Sequence, residues 1–459
     1  MQVVLFNSPV ISSKEDVIEM SGGCPRIGIA SIAAYLLENG IDVSIVDPEV
    51  EGLNLGEIQR IQPEIVGIPA YTEEVFDAAI IAKCVKEISP GTIVVVGGPH
   101  ASAIPEETLK EFDSFDIAVV GEGEFALLDI ALKKPLEMIP GIVYRDGSSI
   151  KYNQARHEIS DLDSLPLPAW HLYRLNAYRG RELSSGFARR NRHLELPVEG
   201  ARGCPFGCVF CFRIAGRRVK FRSPKRVVDD VKRCVHEFEA ERIYFVEGTL
   251  AVNRDLTVEV CDEIINSGLH REITWSAGPR IDTVDFELLG KMKRAGCDFL
   301  GFGVESGDPQ ILKLIGKNTS MEQAIEVFKM CKKLRIKTEA NFIIGLPGET
   351  KESILKTIEL AKKLEADYAN FAILVPFPGT EVYKMACDGP GDIKIKSKDW
   401  KLYGKQMGEA LEHANFPPGE LKRLQMKAYR AFYLRPSKVR SLAGRVSPGR
   451  IVYGLKHLR

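Results

Sequence analysis

Three cysteines, Cys204, Cys208 and Cys211, crowd into the segment ARGCPFGCVFCFR. Their CxxxCxxC spacing puts three thiols on one short loop. Three thiolates can cap three corners of a cubane iron–sulfur cluster and leave the fourth iron open to a further ligand. Zinc is the alternative, but a structural zinc site closes with four ligands. No fourth Cys or His stands at ordinary spacing, since His193 is upstream and the other cysteines are distant. Small Gly203 and Gly207 and aromatic Phe210 accompany the thiols, which a chance grouping would not require. The seven scattered cysteines read as small hydrophobes. Cys234, for instance, lies on the helical face marked by Val228, Val231, Val235 and Phe238.

Such a loop needs a rigid strand end beneath it. From Leu194 strand-like segments alternate with helices: LPVEGARG, RIYFVEG, EITWSAG, FLGFGVES, KTEANFIIGLP and YANFAILVPFP. Six β/α units over residues 196–386 predict three-quarters of a barrel, with chemistry at the C-terminal strand ends. Residues 1–133 alternate in the same way, through QVVLFNSP, DVSIVDP, IVGIPAY, TIVVVGGP and IAVVGEG. Near-continuous apolar strands separated by helices predict a parallel sheet covered on both faces, here a doubly wound, flavodoxin-like domain with its ligand beyond the strand ends. VVVGGPHAS and VVGEGEFA each end a strand in glycines and open a helix, a geometry that lets backbone N–H groups approach a phosphate-bearing ligand. No GxGxxG occurs, which disfavours a dinucleotide.

Between these units, residues 134–195 hold a hairpin around Asp146-Gly147, a proline-punctuated connector and the Arg-rich RGRELSSGFARRNRH. After Cys387 strands are expected to stop, and residues 387–459 read as a small, mostly helical C-terminal domain that closes the barrel. From Leu421 onward there are eleven Lys/Arg and no Asp or Glu, so a locally basic segment ends a chain whose 62 basic and 62 acidic residues balance. That balance predicts no global pull toward nucleic acid or membrane. At 459 residues, two or three domains are expected, and 45% hydrophobic with 27% charged residues excludes a disordered chain, a collagen or a coiled coil. With no leader-like start and no apolar run of spanning length, a cytoplasmic, monomeric protein is the expectation.

The cysteine array, with its aromatic residue before the last Cys, resembles the radical S-adenosylmethionine (SAM) superfamily. FRSPKRVVDDV, PRIDTVDFELLGKMKRAGC, FGVESGDPQIL, FIIGLPGET and VPFPGTEVY stand in the order that superfamily shows. The resemblance implies a [4Fe-4S] cluster on Cys204, Cys208 and Cys211, with SAM on the open iron, and a one-electron reductant that cleaves SAM to a 5′-deoxyadenosyl radical. It implies SAM contacts at Phe210, at Glu247 for the ammonium, and at Arg280 for the carboxylate. It further implies Glu305 and Ser306 at the ribose and Ile344 and Gly345 at the adenine. VEGT departs from the usual Asp-rich motif at Glu247.

A five-stranded domain with GGPHA and GEGE, followed by such a barrel, resembles the cobalamin-dependent (class B) members. PRIGIASIAAYL and LDSLPLPAW are similar to that class too. The resemblance implies cobalamin between the first domain's strand ends and the barrel. Thr72 and the pair Gly97-Gly98 would face its nucleotide tail, Gly121, Glu122 and Gly123 would line the same pocket, and His100 would also belong to the cobalamin site. No Asp stands two residues before His100, so the DxHxxG pattern of a histidine lower ligand is absent. Arg26 or Tyr71 is expected at that face instead.

The function implied is a cobalamin-dependent radical SAM C-methyltransferase acting on an unactivated carbon. The build resembles small methylases of protein side chains, which makes a glutamine of methyl-coenzyme M reductase the particular acceptor expected. A cyclase or carbon–carbon coupling enzyme with the same cofactors is the alternative. An RNA-modifying protein and a non-enzymatic cofactor sensor are alternatives of another kind. Only Cys24 and Cys84 precede the barrel, against the three of a methylthiotransferase, and basic residues without outward aromatics argue weakly for RNA. Tyr429, Phe432, Tyr433 and Leu434 read as one buried helical face.

Overall fold

The computed structural model describes residues 2–7, 24–53, 55–155, 158–179, 193–246, 250–389, 391–404, 408–436 and 438–439. Glu247, most of the Arg-rich segment and the end of the basic tail lie outside them.

The first sheet is built from β1 (Gln2–Phe6), β2 (Asp42–Val46), β3 (Ile65–Pro69), β4 (Ile93–Gly97), β5 (Ile117–Val119), β6 (Ile142–Asp146) and β7 (Ser149–Tyr152). Its order is β2-β1-β3-β4-β5-β6-β7, with the first five strands parallel. This is the doubly wound arrangement expected, whose switch point lies between β1 and β3. Val4, Val66, Val94 and Val96 are fully buried, as strands covered on both faces require. The hairpin read as part of the connector is β6 and β7, and it pairs antiparallel onto β5. Ile142 and Val143, on opposite faces of β6, are both buried, so the hairpin completes the first domain's sheet.

The second sheet contains β8 (Glu195–Glu199), β11 (Arg242–Val246), β12 (Thr274–Ala277), β13 (Cys297–Glu305), β14 (Lys337–Ile344) and β15 (Tyr368–Ile373), numbered around two short strands introduced next. All six are parallel and neighbours in chain order, an open barrel of six units. After β8, β9 (Ala201–Arg202) pairs antiparallel with β10 (Lys220–Phe221), and the cysteine loop is the connection between them. Helices between the strands start on local signals: Ser223 and Pro224 open 224–236, and the Ser320/Gln323 capping box opens 321–333. Each fully buried core side chain, such as Phe302 or Phe342, contributes about 1.5–3 kcal/mol.

An open barrel leaves edge strands, and the C-terminal segment covers one. Helix Glu420–Tyr433 lies on β15, where the Tyr433 and Tyr429 hydroxyls accept from the Ala369 and Phe371 N–H groups at 3.0 and 3.2 Å. Gln425 Nε2 donates to the Phe371 carbonyl at 2.7 Å. Side chains thus pair the edge that a seventh strand would otherwise take. Phe432 is buried as expected, but Leu434 is 53% exposed because the helix ends one residue before it. Strands do not stop at Cys387: β16 (Ile393–Ile395) and β17 (Leu411–His413) form a small antiparallel pair. They are three residues each, too short to show a period in sequence. Of the seven scattered cysteines, Cys234, Cys261, Cys297 and Cys331 are buried, whereas Cys387 is exposed and does not serve as a core hydrophobe.

Candidate active site at two adjoining cavities

The cysteine loop is pinned from three sides. The Cys204 N–H donates to the Gly216 carbonyl at 3.2 Å, Val209 N–H to Ile315 O at 3.1 Å, and Val382 N–H to Val209 O at 3.0 Å. Gly203, at φ +92°, passes so close to the return strand that an added Cβ would lie 2.2 Å from the Arg218 carbonyl oxygen. This backbone needs glycine. Cys204, Cys208 and Cys211 face one cavity of about 280 Å³ with Phe206, Phe210, Phe212, Arg280, Glu305 and Lys317.

The electrostatics of this cavity are set by pairs. The Arg280 fork holds Asp282 at 2.8 Å through both Nε and Nη2, Nη1 lies 3.7 Å from Cys208 Sγ, and the guanidinium stacks 3.7 Å above the Phe206 ring. Glu305, in a left-handed backbone at φ +66°, binds Lys317 Nζ at 2.6 Å. Gly303 makes room for that pair: a Cβ there would lie 2.3 Å from Glu305 Oε1. Of the residues expected at SAM, Phe210, Arg280 and Glu305 line this cavity. Ser306 does not; it is fully buried, with its hydroxyl 3.3 Å from Thr357 Oγ1 and accepting from the Asp308 N–H. Ile344 is fully buried and Gly345 donates its N–H to Glu349, both outside the lining.

A larger cavity, about 490 Å³, lies over the C-terminal ends of β1, β3, β4 and β5 and against the barrel. Arg26, Tyr71, Gly97, Gly98, Gly121, Glu122 and Gly123 all line it. Arg26 pairs with Glu74 at 2.5 Å and stacks on the Tyr71 ring at 5.1 Å. Thr72 and His100 lie off it. Thr72 is buried at the start of a short turn, and His100 packs edge-on against Trp400 at 5.1 Å. Burial pulls the His100 pKa down to about 4, leaving the ring neutral at neutral pH. Ile214 and Ala215, on the cysteine loop, line both cavities and form their common wall.

Both cavities suit the groups the resemblance implies. In the smaller cavity the three cysteines line one space, and a cubane takes its three thiolates at separate corners. In the larger cavity a Cβ at Gly97 would meet nothing within 4 Å, so this strand end is left bare toward open space, as a bulky ring system needs. Sequence reasoning missed Lys317, Asp282 and Phe206, none of which carries a spacing that names its partner.

Comparison with known proteins agrees with this geometry. Residues 198–361 match the radical SAM superfamily and residues 16–131 the B12 binding domain. An uncharacterised methyltransferase of Pyrococcus horikoshii is 33% identical over 446 residues, 95% of this chain and 93% of that protein. The anaerobic magnesium-protoporphyrin IX monomethyl ester cyclase of Cereibacter sphaeroides is 28% identical over 432 residues, 91% of this chain and 68% of that protein. The structure of the radical SAM methyltransferase TsrM from Kitasatospora setae, with cobalamin and a [4Fe-4S] cluster bound, superposes with a TM-score of 0.72 at 16% identity. That match covers 97% of this chain and 90% of that one. The fold and site define a B12-binding radical SAM enzyme. The chain belongs to the cobalamin-dependent radical SAM methyltransferase family, whose cofactors are a [4Fe-4S] cluster, SAM and cobalamin. Among the described residues no helix is long and apolar enough to cross a membrane.

Proposed function

We propose that this chain moves a methyl group from SAM, by way of cobalamin, to an unactivated carbon of an acceptor held between the two cavities. The observation that carries the reading is the common wall at Ile214 and Ala215. An acceptor beside it is reachable from both sides. When bound, the cofactors supply the one-electron and methyl-transfer chemistry, and the chain binds, orients and excludes water.

In this reading Cys204, Cys208 and Cys211 hold the cluster. Phe210, Arg280 and Glu305, joined by Lys317, surround SAM, while Glu247 keeps its expected part at the ammonium. Gly97, Gly98 and Gly121 to Gly123 let the larger cofactor approach the strand ends, with Arg26 and Tyr71 at its rim. Arg26 and Glu74, Arg202 with Glu122, Glu124 and Glu199, Arg280, and Glu305 with Lys317 line the two cavities, and each has a partner among the described residues. That pairing supports an acceptor whose reacting part is neutral and flanked by apolar surface. An amide side chain such as the glutamine of methyl-coenzyme M reductase satisfies this, and a peptide spanning that glutamine is the acceptor to try first.

The 28% identity to a cyclase over 91% of the chain favours one second reading, ring formation with the same cofactors. Product stoichiometry separates the two. Anaerobically reconstituted protein is supplied with SAM, reductant and acceptor. A methylase yields S-adenosylhomocysteine and 5′-deoxyadenosine together with methylated product, whereas a cyclase yields 5′-deoxyadenosine without S-adenosylhomocysteine. Absence of both products with every acceptor tried, alongside full cofactor loading, would count against either reading.

A further inference from the structure

Three carboxylates from two domains converge on one buried guanidinium. Arg202 Nε donates to Glu199 at 2.9 Å, Nη1 to Glu122 at 3.0 Å and Nη2 to Glu124 at 2.7 Å. The Ser31 hydroxyl, on the first domain's opening helix, donates to Glu124 at 3.0 Å. Lys220, paired to β9 across the hairpin, lies 3.4 Å from Glu122, and Arg222 lies 3.9 Å from Glu199. Three cations therefore face these three carboxylates and Glu158, which also lies 3.4 Å from Lys220, and the Arg202 and Glu124 side chains are only 9% and 3% exposed.

The placement of this network gives it a meaning beyond packing. Buried ionic clusters seldom stabilise a fold more than apolar residues of the same volume would; what they add is a demand on geometry. A planar guanidinium with a separate partner on each nitrogen fixes distance and angle together. Glu122 and Glu124 flank Gly123 on the first domain's cavity loop, whereas Arg202 stands two residues before Cys204 on the barrel. Each bond from Arg202 to Glu122 or Glu124 thus joins the larger cavity to the root of the cysteine loop.

We propose that Arg202 is a positioning residue that sets the register between the cobalamin cavity and the cluster-bearing loop. The naming of the two cofactors rests on the function proposed above. The geometry of the clamp does not. An acceptor that must be reached from two cavities is sensitive to their offset, since about 1 Å of misplacement can lower a rate roughly 100-fold.

Arg202→Lys keeps the charge and loses the three-way fork. After anaerobic reconstitution, cobalt and iron are measured per chain. Pulsed EPR then reads the distance between cob(II)alamin and the reduced cluster. The wild type is expected to give one narrow distribution. Arg202→Lys is expected to load both cofactors and cleave SAM to 5′-deoxyadenosine without acceptor, at a rate within about twofold of wild type. Its distance distribution should broaden. If that variant does not fold, Glu124→Leu should broaden the distribution while Glu124→Gln, which still accepts from Nη2, stays narrow. Hydrogen exchange on the cofactor-free protein gives an independent reading, with about tenfold faster exchange expected in both 121–124 and 203–216 for Arg202→Lys. A narrow distribution and unchanged exchange in Arg202→Lys and Glu124→Leu would overturn the proposal. A wild type that takes up no cobalt would overturn the functional reading instead, and the exchange data would still decide whether the clamp exists.

Discussion

A single methyl group at position 203 should cost the cluster site more than half of its iron. Gly203 sits at φ +92°, and a Cβ there would lie 2.2 Å from the Arg218 carbonyl oxygen and 3.2 Å from that of Ala215. Both are backbone atoms, so no rotamer change relieves the overlap. The left-handed backbone alone costs alanine about 1–2 kcal/mol, and overpacking adds about 1–3 kcal/mol. Taking ~3 kcal/mol in total, at roughly 2–4 °C per kcal/mol for a unit of the barrel's size, the barrel's Tm should fall by about 6–12 °C. The local consequence is larger. The turn that must retreat carries Gly216, whose carbonyl accepts from the Cys204 N–H, so the first thiol loses its anchor. The assay is iron and cobalt per chain after anaerobic reconstitution, beside thermal melting. Gly203→Ala should hold less than about half of the roughly four irons of a full cubane, with cobalt retained. Gly207→Ala is the internal control, because a Cβ there meets nothing within 4 Å and the backbone is not left-handed. Wild-type iron and Tm in Gly203→Ala, or equal loss in Gly207→Ala, would refute the reasoning.

Other outcomes follow from the same structure. Changing Cys204, Cys208 or Cys211 singly to Ser should abolish iron loading but leave cobalt within measurement error, since among the described residues the two cavities share only Ile214 and Ala215. His100→Phe should leave the cob(II)alamin EPR spectrum unchanged and Tm equal or higher, because the ring packs on Trp400 and neither nitrogen has a hydrogen-bond partner among the described residues. Glu349 is fully buried, and burial pushes its pKa up to about 8 although it accepts from the Gly345 and Leu346 N–H groups. A carboxyl whose folded pKa is raised contributes stability below its unfolded value and loses that contribution as pH rises through the folded one. Urea unfolding should therefore show a decline in wild-type stability between about pH 4.5 and 8 that flattens in Glu349→Gln, which keeps the two N–H bonds; parallel profiles would contradict it.

Much of this molecule was legible because the signals were local. The three thiols name their chemistry by spacing within one loop, and the strands of both sheets announce themselves as apolar runs ended by glycines. Helix starts such as Ser223-Pro224 are written in adjacent residues. Even the wide order of elements follows, since a parallel strand demands a crossover and a crossover helix demands an amphipathic face. Phe210, Arg280 and Glu305 lie at strand ends or on the loop itself, and the fold gathers them with the cysteines.

What the sequence could not determine was which side chains face a cavity and which face each other. Ser306 follows Glu305 directly, yet the left-handed residue between β13 and its loop turns the serine inward to Thr357. His100 stands near Gly98, but a helical step rotates it under Trp400, a residue from the far end of the chain. Arg202 finds Glu122 and Glu124 eighty and seventy-eight positions away. The hairpin at 142–152 and the strands at 393–395 and 411–413 choose sheets that no local period could name. Spacing along a chain records what one loop or one face can do. The partners of a buried charge are decided only when two domains close and exclude water, because only then does an unpaired charge become costly enough to select its neighbours.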